Sequence, residues 1–133
     1  MPRRRIALAI APLALSAVLV ACGTEGVSVP KSDAVVHRGA VIFSQRCSGC
    51  HTLEAAGTQG SATKVRDKER TDGPDLDQRK ETKDQVLYAI RNGGFSGAIM
   101  PENIVVGKDA QAVAEFVAKY AGDKAHPPKG PGQ

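Results

Sequence analysis

The chain has 133 residues, which is enough for one small domain. It contains no Trp, three Phe and two Tyr, so its own aromatic side chains can fill little of a core, and a large apolar cofactor would supply what is missing. The formal charge of +4 does not indicate a nucleic-acid partner, because Arg3–Arg5 lie in an N-terminal targeting segment and the rest of the chain has 15 basic and 14 acidic residues.

Residues 1–21 have the three-part pattern of a secretory signal peptide. Arg3–Arg5 are its charged region, Ile6–Val20 is an apolar stretch, and Ala21 is the small residue before the cleavage point. The apolar stretch is shorter than the roughly 20 residues that a membrane-spanning helix needs. We therefore expect an exported protein, located at the outer face of the cytoplasmic membrane or on its periplasmic side.

The signal peptide ends in Leu19–Cys22, which resembles the bacterial lipobox. In that motif the cysteine is acylated and becomes the first residue of the mature protein, so we expect Cys22 to carry a lipid anchor. Two or more acyl chains make such an anchor stable. An ordinary cleaved signal or an uncleaved helix are the alternatives. Residues 22–32, with two further glycines and a proline, are predicted to form a flexible tether.

The first predicted helix precedes a pair of cysteines and can be capped by Ser32 or Asp33. Its small and apolar residues recur at the spacing i, i+3, i+4 and i+7, which is one face of a helix: Val36, Gly39, Ala40 and Phe43. A glycine inside a helix costs up to about 1 kcal/mol relative to alanine. Gly39 therefore indicates a place where another element packs closely.

Three chemistries compete for the segment Cys47–His51, whose sequence is Cys-Ser-Gly-Cys-His. A thioredoxin-like dithiol needs a βαβ setting, and no strand-like run flanks the segment. A structural zinc site needs four ligands, and His37, His51 and His126 do not have zinc-finger spacing. The third is covalent attachment of haem c. The sequence favours haem c, since two thiols three residues apart can add to the two vinyl groups and His51 can then ligate the iron.

A polar segment of mixed charge follows, between Leu53 and Gly73. It is predicted to be an exposed loop. Its basic residues could form a docking surface for a redox partner, but a solvated loop of mixed sign is the simpler interpretation.

Two more helices are predicted. Residues 83–92 form the middle helix, with Thr82 and Gln85 as a capping box and Gly93 after its end. The last helix, residues 108–121, carries its apolar residues on one face: Val113, Phe116, Val117 and Tyr120. Gly122 would end it. Residues 123–133 are predicted to be a disordered tail.

Met100 lies between these two helices and precedes Pro101. It is the only methionine besides Met1, which belongs to the signal peptide, so it is the one thioether that could ligate iron in the mature protein. A packing role in the core is the alternative. His37 and His126 are rival ligands.

Taken together, these motifs resemble class I monohaem cytochromes c of bacteria, of the small c6/c551-like or oxidase-associated type, over residues 33–122. The resemblance implies an all-α cytochrome c fold, with three main helices around one covalently attached haem and with the N- and C-terminal helices crossing. It implies that Phe116, in preference to Tyr120, packs over Gly39. It further implies that Met100 is the second axial ligand and that the Pro74 carbonyl accepts a hydrogen bond from His51 in a supporting contact.

The same resemblance implies an electron carrier and not an enzyme. We expect one-electron transfer by a membrane-tethered, monomeric cytochrome that shuttles between respiratory or photosynthetic membrane complexes, with redox proteins as its partners. One alternative is a haem-bearing subunit of a larger membrane oxidoreductase. Another is a haem sensor or a peroxidase in which Met100 is displaceable.

Overall fold

A computed structural model describes residues 26–94 and 99–124. The described chain is mainly helical, and its elements in chain order are α1 (Ala34–Arg46), β1 (Thr52–Leu53), a 3₁₀ turn (Glu54–Ala56), β2 (Thr58–Gln59), a second 3₁₀ turn (Val65–Asp67), α2 (Lys83–Asn92) and α3 (Gly107–Tyr120). The predicted signal peptide, Cys22, the segment 95–98 and the tail from residue 125 lie outside the described residues.

The helices begin and end where local hydrogen bonds satisfy their terminal backbone groups. Asp33 caps α1, because its Oδ1 accepts from the backbone N–H of Val36 at 3.4 Å. The capping box predicted for α2 is confirmed: Gln85 N–H donates to Thr82 Oγ1 at 3.3 Å, and Thr82 N–H donates to Gln85 Oε1 at 2.8 Å. Gly122, directly after the C-cap residue of α3, has a φ of 80°.

The packing of α1 against α3 depends on Gly39. A Cβ atom at this position would collide with the carbonyl oxygen of Ala112 and would lie 2.8 Å from the Cβ of Phe116. Next to this contact, the rings of Phe43 and Phe116 meet edge to face with their centroids 5.7 Å apart. Gly39 therefore allows two helix backbones to approach more closely than any side chain would permit.

A short antiparallel pair of strands follows the cysteine segment, where no strand was expected. Thr52 pairs with Gln59 and Leu53 with Thr58. Each strand has two residues, which is too short to show the alternation by which strands are found in a sequence. The turn after β2 packs on the cysteine segment, and a Cβ at Gly60 would lie 2.6 Å from the backbone nitrogen of Cys50.

The described part of the predicted tether, residues 26–32, packs on the domain instead of standing free from it. Val29 is 4% exposed and belongs to the core. The backbone N–H of Ser28 donates to the carbonyl of Ala55 at 3.0 Å, and His37 Nδ1 donates to the carbonyl of Val29 at 2.9 Å. The contact between Ser28 and Ala55 joins residues far apart in sequence, so local composition could not predict it.

The chain after α3 is also held to the domain up to its last described residue. Lys124 Nζ lies 3.0 Å from Asp77 Oδ2 and 2.9 Å from Glu54 Oε2, and its backbone N–H donates to the carbonyl of Asp77. Residues 123–124 therefore belong to the folded part, although the sequence predicts that the tail begins at residue 123.

No helix among the described residues is long and apolar enough to cross a membrane.

Candidate cofactor site

One open cavity lies between the cysteine segment, α2 and α3. Its empty space, including the open mouth, is about 1100 Å³. Most of its wall is apolar and includes Phe43, Leu76, Val86, Ala89, Ile90, Ile104, Val113 and Val117. A large apolar surface of the described chain is therefore left facing this space.

The cysteine segment forms one wall of the cavity because the chain turns tightly as α1 ends. Cys47 N–H donates to the carbonyl of Phe43 at 2.8 Å, and the N–H of His51 donates to the carbonyl of Cys47 at 3.0 Å. These bonds bring Cys47, Cys50 and His51 to the same cavity. Cys47 and Cys50 are not joined to each other by a disulfide bond.

Burial, and to a smaller extent the neighbouring Cys50, raises the pKa of the Cys47 thiol to about 12. At neutral pH this sulfur is therefore a protonated thiol. Reactive cysteines of redox dithiols have the opposite shift, because the thiolate is their nucleophile. The environment of Cys47 thus argues against a redox dithiol.

The His51 ring is oriented by a backbone acceptor. Its Nδ1 lies 3.2 Å from the carbonyl oxygen of Pro74, and since a carbonyl can only accept, Nδ1 carries the proton. The lone pair of Nε2 is then free to bind a metal. Burial lowers the pKa of His51, while the Pro74 contact and the charge of Glu81 raise it by less, so the neutral imidazole is favoured.

Met100 lines the same cavity and is half-buried. Gly93, with a φ of 75°, lies against the Met100 backbone, and a Cβ there would be 2.7 Å from the Met100 carbonyl oxygen. The structure thus brings together the four side chains that the sequence singled out: Cys47, Cys50, His51 and Met100. Coordination of iron by Met100 stays a prediction.

Of the two rival ligands, His37 is the one in the described part of the chain, and it is not at this cavity. His37 does not line it, and its Nδ1 is engaged with the carbonyl of Val29. His126 lies outside the described residues. Across residues 26–94 and 99–124, no three His, Cys, Asp or Glu side chains are grouped so that they could hold a metal ion. The zinc interpretation therefore has no ligand set in the described part of the chain.

The predicted exposed loop between Leu53 and Gly73 is confirmed only for its second half, since residues 63–71 are exposed. Residues 54–62 include a 3₁₀ turn and β2, and Ala56 and Thr58 are buried there, so this half of the prediction was wrong. Only the last residues of the loop, Thr71 and Asp72, line the cavity. Val65 in its middle is 94% exposed, between Lys64 and Arg66.

Sequence reasoning missed two residues that shape the site. Gly73 lies against the His51 ring, where a Cβ would be 2.5 Å from Nδ1 and 2.8 Å from Nε2. Glu81 lines the cavity while being 9% exposed, and pairs with Arg79. A glycine before a proline reads as an ordinary turn, and nothing in the local sequence marks Glu81 as buried.

The residues at the cavity fit a covalently bound haem. Two thiols can form thioethers, a neutral imidazole with a fixed tautomer can ligate iron, and a thioether side chain lies in the same cavity. The apolar wall suits the face of a porphyrin.

The comparison with protein families agrees with this chemistry. A family profile described as "Cytochrome C oxidase, cbb3-type, subunit III" matches residues 34–117. A solved structure, the c-type cytochrome SorU from Sinorhizobium meliloti, is 30% identical, with 67% of this chain and 93% of that chain covered and a TM-score of 0.49. No curated protein is similar enough to count as a match.

Proposed function

This chain belongs to the family of the cbb3-type cytochrome c oxidase subunit III, with a c-type cytochrome domain that binds haem c covalently, and we propose that it carries single electrons at a membrane with an iron held by His51 and Met100. The observation that supports this is that Cys47, Cys50, His51 and Met100 line one largely apolar cavity.

Each of these residues has a role that follows from its chemistry. When bound, the haem supplies a reversible one-electron change between Fe(II) and Fe(III). Cys47 and Cys50 would hold it through thioethers, and His51 would bind iron through Nε2. The Pro74 carbonyl holds the proton on His51 Nδ1 and keeps the ring in one orientation. The apolar wall excludes water, so little has to rearrange when an electron arrives or leaves.

Met100 decides between an electron carrier and a substrate-binding haem protein. With a second axial ligand the iron has no free position for a substrate, and thioether ligation raises the potential. A haem sensor or peroxidase would need this position to open. Pro101 follows Met100 and restricts the backbone of this loop, which favours a firmly held ligand.

The test is an absorption spectrum of the purified exported protein and of its Met100→Ala variant. We expect the pyridine haemochrome of c-type haem in both, and CO binding to the ferrous haem only in the variant. A pyridine haemochrome without the c-type bands would contradict the whole proposal. Rapid CO binding by the unmodified protein at neutral pH would leave the haem assignment intact but contradict ligation by Met100.

We further propose that Cys22 anchors the protein by acyl chains on the outer side of the cytoplasmic membrane. Three residues lie between Cys22 and Gly26, the first described residue, and the four residue steps from Cys22 to Gly26 span at most about 14 Å. Such a short link keeps the domain close to the membrane surface. Cys22→Ser should release the protein from membranes, whereas an uncleaved N-terminal helix would retain it.

A short link also supports the second candidate function, a haem-bearing subunit of a larger membrane oxidoreductase. A tether of this length restricts the domain to partners that are close to its anchor. The effective concentration of the domain is then high only for partners within that small volume. The family name points in the same direction. Purification in mild detergent distinguishes the two, because a subunit stays with a complex and a free carrier is recovered as a monomer.

A further inference from the structure

Glu81 is unusual among the charged residues of the described chain, because its side chain is buried and lines the cofactor cavity. The other buried carboxylate in residues 26–94 and 99–124 is Asp77, which lies away from the cavity wall. Asp77 already has a structural role, since it accepts from the backbone of Glu54 and pairs with Lys124. The carboxylate of Glu81 accepts no comparable hydrogen bond from the backbone of the described residues. Its charged side chain at the cavity therefore needs another explanation.

Arg79 holds the Glu81 carboxylate in place. Its Nε lies 2.5 Å from Glu81 Oε1, and both residues line the cavity. The two side chains are not equally buried, since Arg79 is 55% exposed and Glu81 10%. A buried charge is retained only when it is paired, and water screens the outer, positive partner more than the inner, negative one. The pair therefore presents a net negative potential to the cavity.

The cavity also holds the groups that would carry the iron. Glu81 lines the same cavity as Cys47, Cys50, His51 and Met100. A haem held by those residues would share the cavity with the Glu81 carboxylate, and a charge in a poorly solvated wall acts on the iron with little screening by water. Oxidised iron carries one more positive charge than reduced iron, so a nearby carboxylate stabilises the oxidised form.

We propose that Glu81, positioned by Arg79, lowers the midpoint potential of the haem and so helps to set the direction of electron transfer. The proposal deepens the proposed electron-carrier function and rests on it. Glu81 acts here through the effect of its charge on the potential of the haem, and it does not ligate the iron. The alternative is that the pair only stabilises the loop before α2.

The experiment is a spectroelectrochemical titration of the holoprotein at pH 7. Glu81→Gln should raise the midpoint potential, so that the ratio of reduced to oxidised haem at a fixed electrode potential rises about tenfold, equivalent to about 59 mV for one electron. Arg79→Gln should shift the ratio in the opposite direction. The double variant should return towards the unmodified protein, because it removes both charges.

A matched control is provided by the exposed pair Arg66–Asp67, whose side chains are 76% and 53% exposed. Asp67→Asn removes one carboxylate as Glu81→Gln does, but it should change the ratio less than about twofold, and high salt should abolish that change. The Glu81→Gln shift should persist in high salt because Glu81 is buried.

A purely structural pair would give a different result. Glu81→Gln would then lower the free energy of unfolding and leave the potential unchanged, which would overturn the proposal, as would shifts of the same sign in both single variants. Should Glu81→Gln fail to fold, the downward shift in Arg79→Gln decides, because Arg79 is largely exposed. The absorption spectrum reports c-type attachment separately, so a failure of the electron-carrier proposal is distinguishable from a failure of this one.

Discussion

His51 Nδ1 lies 3.2 Å from the carbonyl oxygen of Pro74, and this contact determines which nitrogen of the ring can bind iron. The residue before Pro74 completes the arrangement, because Gly73 lies against the ring and its N–H donates to the Cys50 carbonyl at 2.7 Å. The Gly73–Pro74 turn and the Cys47–His51 segment thus form one unit, although more than twenty residues separate Pro74 from His51.

Gly73→Ala should disturb the axial histidine. The added Cβ would lie 2.5 Å from His51 Nδ1, so the ring has to move and the hydrogen bond to Pro74 is strained or lost. Overpacking of this kind costs about 1 to 3 kcal/mol. We expect a lower free energy of unfolding in denaturant titrations of the holoprotein and a shifted Soret band. Gly49→Ala is the matched control inside the haem motif, since a Cβ there meets nothing within 4 Å. Equal effects of the two substitutions would contradict the steric argument.

Gly39→Ala should destabilise the protein even though alanine is the better helix former. The intrinsic helix preference would favour the alanine by up to about 1 kcal/mol. The new methyl group, however, would collide with the carbonyl of Ala112, a backbone atom that cannot turn away. We expect a net loss of about 1 to 3 kcal/mol in the free energy of unfolding, measured by denaturant titration. Val35→Ala on the same helix, at a position that is 50% exposed, should change it by less than about 0.5 kcal/mol. A gain in stability for Gly39→Ala would show that α1 and α3 are not in close contact.

Asp33 predicts a pH-dependent contribution to stability. The side-chain contact with Lys119, at 2.8 Å, lowers the pKa of Asp33 in the folded state, and the capping contact with Val36 N–H acts in the same direction. A lowered pKa means that the stabilisation is present above the unfolded-state pKa of about 3.9 and is lost as the pH falls through the folded-state value. Asp33→Asn keeps a side chain that can cap the helix and removes the ion pair. Its melting temperature should be below that of the unmodified protein at pH 7 and should converge with it in acid.

The control for this experiment is Asp33→Ala, which removes both the cap and the ion pair. It should melt below Asp33→Asn at pH 7 and stay below it in acid. Added salt should narrow the gap between the unmodified protein and Asp33→Asn, because the pair is at the surface. A gap that is independent of pH and salt would assign the effect to the cap alone.

Val29→Ala should loosen the segment that precedes α1. Val29 is 4% exposed. Removing its two buried methyl groups should lower the free energy of unfolding by about 1.5 kcal/mol or more. We expect faster hydrogen exchange at the Ser28 amide, which donates to Ala55. Val65→Ala, at a position that is 94% exposed, is the control. It should change neither the free energy of unfolding nor the rate of hydrogen exchange at the Ser28 amide. Unchanged exchange at Ser28 in Val29→Ala would show that the Ala55 contact holds the segment without Val29.

Local patterns in the sequence were sufficient to predict the helices. The cap at Asp33, the capping box of Thr82 and Gln85, and the glycine after α3 act within a few residues, so their effect is visible in the chain itself. The Cys47–His51 segment is equally local, because its meaning depends on the covalent spacing of two thiols and an imidazole. The prediction of haem c therefore needed no tertiary structure, and the family comparison agrees with it.

Only the tertiary structure decided which distant residues meet at the cavity and which segments pack on the domain. The burial of Glu81 in the wall of the cavity, the close approach of Gly73 to the His51 ring and the packing of residues 26–32 on the domain all depend on contacts between segments far apart in the chain. A residue's charge or size is local information, but its burial and the field it exerts are set by whatever packs against it. For that reason the sequence alone identifies a haem-binding segment, while the surroundings that would tune the iron emerge only in the folded chain.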